Sequence, residues 1–426
     1  MTGLVILAAT VLLYVLVSSV LDRASITGPL FLMVAGAILG TGGLDVLNLN
    51  VGNESIRVLA EVALAIILFS DASSISKRTV RSQVGVTGRL LGIGLPLTIG
   101  LGTLICHLIF PSASWALCAL IGSLLAPTDA ALGLAVVTNP AVPEGIRETL
   151  SIEGGLNDGL ATPFVYFFLA LTLSESTHGH WVSAGFDLLG GVGLGAVLGA
   201  ALGWICALCA RRLTMSEQSK QLAVVVAGLL CFSAALALDW NGFVAAYVAG
   251  FAFTIGSKGA LRSSMQLSES AGLYTSFAVW VLFGATLVGP ILAGGIMWTA
   301  VLYGLLSLTV IRMVPVALAL VGAHVRPLTT AFMGWFGPRG LASVVFVIVS
   351  VDSLSESADP RILVQAATWT ILGSVVLHGL TSRPLAEAFG RAVGDTTDAH
   401  DVPRGALAKR PPSKGLGAAP DPAGEE

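Results

Sequence analysis

Along the chain, long apolar stretches alternate with short polar breaks, and this dominates over any short-period pattern. A helix needs roughly 20 mostly apolar residues to cross a bilayer. Thirteen stretches meet or approach that length: 4–21, 28–44, 57–72, 88–110, 114–137, 149–173, 184–210, 222–238, 242–256, 270–292, 295–323, 328–350 and 363–386. The second, third, eighth and ninth are short for full spans. Strands of a membrane barrel would alternate apolar and polar residues over about ten positions, and no such alternation is seen. The pattern predicts an all-α polytopic membrane protein with about 13 transmembrane helices. The first stretch, MTGLVILAATVLLYVLVSSVL, has no basic leader and reads as a retained span, not a cleaved signal.

Composition agrees. Lys and Arg number 22 and Asp and Glu 25, together 11% of the 426 residues, against about 25% in an ordinary soluble domain. Hydrophobic residues make up 55%, and the mean hydropathy is +0.86. A soluble globule and a disordered chain are both excluded. A net charge of -3 without a basic stripe excludes a nucleic-acid partner. The basic residues also orient the chain, because inner loops collect Lys and Arg. With the N-terminus outside, 18 of the 22 fall inside, among them Arg23, Lys77, Arg78, Arg81, Arg89, Arg147, Lys258, Arg262 and Arg326. Only Arg57 and Arg361 fall outside. The C-terminus is then cytoplasmic, and the short loops suit a cell membrane, specifically a bacterial inner membrane. Residues 1–392 form the membrane domain, and 393–426, rich in Pro, Gly and Ala, read as a disordered cytoplasmic tail. The five cysteines lie within spans and read as small buried hydrophobes. The six histidines do not cluster, although His178 and His180 share an outer loop.

Charges at bilayer depth are costly and mark ion paths or buried pairs. They are Glu61, Asp71, Asp129, Glu153, Asp158, Arg312 and Arg339. In the fifth stretch Pro127 precedes Thr128 and Asp129. Proline breaks a helix, and freed backbone groups are tolerated at depth only where they line a cavity or are buried in protein. Free carbonyls beside a carboxylate suit a hard cation, and Asp129 also suits a cap on the second half-helix. In the sixth stretch Glu153 and Asn157 share a face, while Asp158 lies about 140° from Glu153. A buried carboxylate holds a proton or a cation, hardly both. Glu153 also suits a salt bridge to an intramembrane arginine. The twelfth stretch is broken at Gly337-Pro338, with Arg339 and Gly340 following. Two interrupted spans seven apart enter from opposite sides, the pointer to inverted repeats, here spans 4–6 and 11–13. Arg339 is expected to pair with Glu153. Asp71 is expected to cap its helix or meet Arg78, and Arg312 to snorkel to the inner surface.

The run APTDAALGLAVVTNPAVPEGIRETLSIEGGLNDGLATPF at 126–164 resembles the monovalent cation:proton antiporter 1 family, the sodium/proton exchangers. EVALAIILFSDA at 61–72, GWFGPRGLASVV at 334–345 and VVLHGLTSRPLA at 375–386 support the resemblance in order along nearly the whole membrane region. It implies a thirteen-helix homodimer in the lipid bilayer. A core of about 88–173 and 295–386 would move as an elevator against a dimerisation part of about 1–72 and 184–292. It implies Asp158 as carrier of cation and proton, Thr128 and Asp129 at the unwound crossing, Asn157 stabilising it, and Glu153 paired with Arg339. Asn157 before Asp158 resembles the electroneutral class. Gly154 departs from the family, which often has a serine ligand there, and this makes K+ more credible.

The expected function is antiport, Na+ for H+ with K+ or Li+ as alternatives, driven by an ion gradient without a cofactor. No GxxxxGK[ST] is present for ATP. A cation channel would use the same acids as a pore lining, but the paired broken helices argue against it. No hydrolase or zinc-protease motif is found, and an intramembrane aspartyl protease built on Asp129 and Asp158 is the remote enzymatic reading. The chain is expected not to be an enzyme.

Overall fold

The computed structural model describes residues 2–23, 26–47, 54–74, 85–176, 181–257, 265–354 and 360–394. Lys77, Arg78, Arg81, His178, His180, Lys258, Arg262 and residues 395–426 lie outside them, as does the expected meeting of Asp71 with Arg78. The last helix continues through Gly394, past the boundary at 393 expected from sequence.

The helices are α1 (Thr2–Arg23), α2 (Gly28–Leu39), α3 (Glu54–Ser74), α4 (Gly85–Ile109), α5 (Trp115–Leu124), α6 (Leu134–Val137), α7 (Glu144–Ser176), α8 (Trp181–Arg212), α9 (Glu217–Leu236), α10 (Gly242–Ser257), α11 (Gln266–Gly294), α12 (Trp298–Ala319), α13 (Pro327–Trp335), α14 (Leu341–Leu354) and α15 (Arg361–Gly394). No strand forms among the described residues. Eight of these helices are long and apolar enough to span a membrane. Five further rods complete thirteen: short α2 and α10, α3 with its charges, and the broken pairs α5/α6 and α13/α14. Parity is visible in the contacts. Arg57 at the start of α3 meets Asp352 at the end of α14. On the opposite face Arg89 donates to the Val321 carbonyl, and Arg211 to that of Gly256. The two faces are named here for the end of the chain they carry, amino-terminal and carboxy-terminal.

Sequence explains the irregular helices. In α4 and α11 a wide π-turn, Leu90–Gly94 and Gly284–Val288, directly precedes Pro96 and Pro290. Proline lacks an N–H and clashes with the carbonyl four residues back, and a π-turn absorbs the mismatch without a break. α12 bends at Thr309, whose φ of -110° and ψ of -89° leave the helical region.

The rods gather into two bundles. In one, α8 lies along α10, and α10 packs on α3, which with α2 and α11 completes the group. Gly195, Gly199 and Gly203 on α8 face the backbone of Asn241, Ala245 and Ala249, where a side chain would strike the carbonyls. Small residues let helices approach when lipid offers no hydrophobic driving force. In the other bundle, α4 packs on α5, α5 on α7, and α12 on α15 and α13. Contacts of α3 and α10 with α7, and of α3 with α14, join the two.

Substituting Gly199→Val should part α8 from α10. A loss of about 1–3 kcal/mol is expected, read as a lower melting midpoint in detergent. An unchanged midpoint would show that this close approach does not support the bundle.

Candidate functional site

α5 ends at Leu124 because Pro127 cannot continue it, and α13 ends at Trp335 before Gly337-Pro338. The two unwound segments meet. The Asp129 N–H donates to the Pro338 carbonyl at 2.8 Å. The Ser343 hydroxyl donates to the Leu124 carbonyl at 2.7 Å, covering an end carbonyl of α5. Asp129 closes both second halves. Its Oδ1 accepts from the N–H groups of Ala131 (2.7 Å) and Leu132 (3.2 Å), and its Oδ2 from the N–H of Leu341 (3.0 Å). Helix starts carry unsatisfied donors and partial positive charge; this one carboxylate meets the start of α14 and the turn that leads into α6. Gly340 is required here, since a Cβ at that position would occupy the space of the Asp129 carboxylate.

Arg339 plays the opposite part. It is fully buried, and its Nη1 donates to the Gly337 carbonyl at 2.9 Å, with Nη2 3.5 Å from the Ser307 carbonyl. Cations are favoured at helix carboxyl ends. The Arg339 N–H donates to Ser374 Oγ at 2.6 Å, and His378 Nε2 lies 2.8 Å from the Trp335 carbonyl. His378 Nδ1 lies 3.0 Å from the Ser374 carbonyl and 3.2 Å from Ser374 Oγ. Ser374 and His378, on α15, thus tie down the broken span. Sequence reasoning missed His378, and only its isolation in an apolar run marks it.

Glu153 does not pair with Arg339. Its Oε1 lies 2.7 Å from Arg312 Nη2, with both side chains under 5% exposed. Arg312 therefore does not snorkel. It is held inside because α12 bends ahead of it and its guanidinium packs over Gly337, which has no side chain to exclude it.

Asp158 is 6% exposed and faces the crossing from α7. Asn157 Nδ2 donates to Thr128 Oγ1 at 2.6 Å. Two oxygens then stand buried without a hydrogen-bond partner, Asp158 Oδ1 and Asn157 Oδ1. Such orphaned acceptors are costly, and they suit a ligand that binds oxygen, a proton or a hard cation. A narrow cleft leads from Thr128 and Asp129 past Val136, Val137 and Leu150 toward the carboxy-terminal face. Along it Asp129 and Ala130 are half-buried and Ala131 is exposed. Two further groups arrive from the other bundle. Asp71 on α3 abuts α7, where a Cβ on Gly155 would lie 3.6 Å from its Cβ and 3.9 Å from its Cγ. It is within electrostatic reach of Asp129 and Asp158. Tyr247 on α10 donates to the Leu156 carbonyl at 3.0 Å, and its ring covers Gly159. From sequence Asp71 is expected to cap its helix or meet Arg78; its lone carboxylate in the run IILFSDA is the available signal of a place near the site. Among the described residues no cluster of three or more His, Cys, Asp or Glu is arranged as a metal cage.

Crossed broken helices beside a buried carboxylate, within a bundle of membrane-length helices, define the secondary-transporter architecture. Residues 6–388 match the family described as sodium/hydrogen exchanger, transmembrane, and the chain belongs to it. Its similar proteins include a Na(+)/H(+) antiporter 2 of Zygosaccharomyces rouxii, 26% identical over 403 residues, covering 81% of this chain and 48% of the relative. A K(+)/H(+) antiporter NhaP2 of Shewanella sp. (strain MR-4) is 24% identical over 239 residues, covering 55% of this chain and 41% of the relative. The chain spans about half the length, or less, of these curated relatives. The solved sodium proton antiporter MjNhaP1 of Methanocaldococcus jannaschii at pH 8 superposes with a TM-score of 0.75 at 19% identity, covering 91% of this chain and 98% of that one. The overall fold is thus shared with a solved antiporter.

Removing one member of a buried ion pair leaves the other uncompensated, at about 3–5 kcal/mol, whereas removing both can be nearly neutral. Arg312→Gln should therefore destabilise the protein in detergent melting more than Arg312→Gln combined with Glu153→Gln. Additive losses would show that the two groups are not coupled.

Proposed function

We propose that this chain is a cation/proton antiporter that exchanges one Na+ for one H+ by alternating access at Asp158. The observation that carries this reading is the pair of orphaned oxygens, Asp158 Oδ1 and Asn157 Oδ1, buried beside the crossing. Either a proton on Asp158 or a cation between these oxygens removes the deficit. Each excludes the other, because protonation neutralises the carboxylate that a cation needs. Thr128 contributes by holding Asn157 so that its oxygen, not its nitrogen, points to the site. Asp129 has both oxygens engaged by backbone N–H groups, and it shapes the field of the crossing as well as adding charge.

A cation transported in this way is substrate and needs no resident cofactor. The bundle of α4–α7 and α12–α15 is the moving core, and α1–α3 with α8–α11 the part that dimerises in the bilayer. The amino-terminal face lies outside and the carboxy-terminal face in the cytoplasm of a cell membrane. The distribution of Lys and Arg supports this orientation. The cleft beside Thr128 and Asp129 lies on the cytoplasmic side of the crossing in this orientation.

K+ is the second reading, and Gly154 favours it. A Cβ there would lie 2.9 Å from both the N and the Cβ of Ala130, so α7 packs too closely for a side-chain ligand from this position. A site with fewer protein oxygens repays less of the cost of dehydration, which favours the larger, more weakly hydrated ion.

In proteoliposomes, Asp158→Asn should abolish cation-driven proton movement while the protein still folds. Full exchange in that variant would overturn the carrier role. In the parent, lowering the pH on the cation side should raise the apparent KM for Na+ or K+ by proton competition. A KM independent of pH would rule out a shared site. Parallel assays with Na+, K+ and Li+ decide the cation.

A further inference from the structure

On the amino-terminal face the two bundles are held shut by a charge pair above a plug of rings. Arg57 of α3 reaches across the gap, its Nη1 2.6 Å from Asp352 Oδ2 at the end of α14. Its Nε lies 3.4 Å from Glu61 Oε1, one turn further along its own helix, which aims the guanidinium across. Beneath, Phe243 of α10 stands between rings of the other bundle, with its centroid 6.0 Å from Tyr166 of α7 and 6.3 Å from Phe346 of α14. Phe232 of α9 backs it at 5.1 Å. Phe232, Phe243 and Phe346 are all buried. Tyr166 lies two turns beyond Asp158 on α7, so the plug sits between the site and the amino-terminal face. The opposite face has the cleft instead.

Resting on the antiporter reading, we infer that Arg57 and Asp352 are positioning residues: a latch that forms only while the site is closed to the amino-terminal side, and so sets the balance between inward-open and outward-open states. The bond joins a helix of one bundle to a helix of the other, so sliding one past the other must break it. A contact made in one state and absent from the other weights the equilibrium by its whole free energy. Arg57 and Asp352 are 39% and 23% exposed at the side chain. For such a partly solvated pair the shift is modest, about two- to fivefold in the ratio of states. Glu61 acts through Arg57 and would help the latch re-form after each cycle.

The test uses the full chain in right-side-out proteoliposomes, in a cysteine-free background carrying Phe243→Cys as a reporter in the plug. A membrane-impermeant maleimide is added from the amino-terminal side. Arg57→Gln and Asp352→Asn should each speed labelling about two- to fivefold. Each should also lower the cation KM measured on that side relative to the other, and exchanging the two charges (Arg57→Asp with Asp352→Arg) should restore both. Unchanged labelling and unchanged KM values in the single variants would overturn the latch. So would faster labelling that the exchanged pair does not restore, since that reports general loosening. Absence of exchange in the parent would instead count against the antiporter reading, while the labelling comparison would still decide the latch.

Discussion

One carboxylate at the crossing of two interrupted helices is the constraint on which the site depends. Breaking a helix at bilayer depth exposes backbone donors and acceptors that lipid cannot satisfy. Asp129 covers the donors of both second halves, and the side chains of Arg339 and Ser343 cover carbonyls of the first halves. Without that cover the unwound segments would have to re-form helix or admit water. The crossing in turn leaves the space beside Thr128 into which α7 presents Asn157 and Asp158.

The surroundings follow from holding that crossing rigid. α15 fastens the far side through Ser374 and His378. α12 supplies Arg312 to neutralise Glu153, which would otherwise stand buried and bare one turn from Asn157. Missing side chains matter as much. Gly340 admits the Asp129 carboxylate, Gly337 the Arg312 guanidinium, Gly154 the backbone of Ala130, and Gly159 the ring of Tyr247. The high glycine content of the chain is thus partly a record of close approaches around the site.

Much of this was legible in the sequence. The break points are written as Pro127 and Gly337-Pro338, and their placement seven spans apart gives the antiparallel crossing. Thr128, Asp129, Asn157 and Asp158 cluster within two successive spans, so their proximity needs little tertiary information. What could not be read depends on rotation and bending. On paper Arg339, on span twelve, is the expected partner of Glu153, and Arg312, on span eleven, is expected to reach the surface. The bend at Thr309 and the bare backbone of Gly337 decide for Arg312. Asp71 sits on a helix distant in sequence, and only the packing of α3 on α7 at Gly155 brings it near. The dual capping by Asp129 likewise needs the second helix start, at Leu341, to be in place.

The pairing of Glu153 with Arg312 has a consequence for the electrical cost of each half-cycle. In the proposed moving core the charged groups of the site region are Asp129, which is half-buried, and the buried Glu153 and Asp158 against Arg312 and Arg339. With all five ionised they sum to one negative charge. A single Na+, K+ or H+ brings that sum to zero. Under the proposed mechanism a loaded core would cross the bilayer without doing work against the membrane potential, whereas an empty one would carry a charge worth about 2.3 kcal/mol per 100 mV. Asp71, standing on the other bundle, does not travel and leaves this sum unchanged.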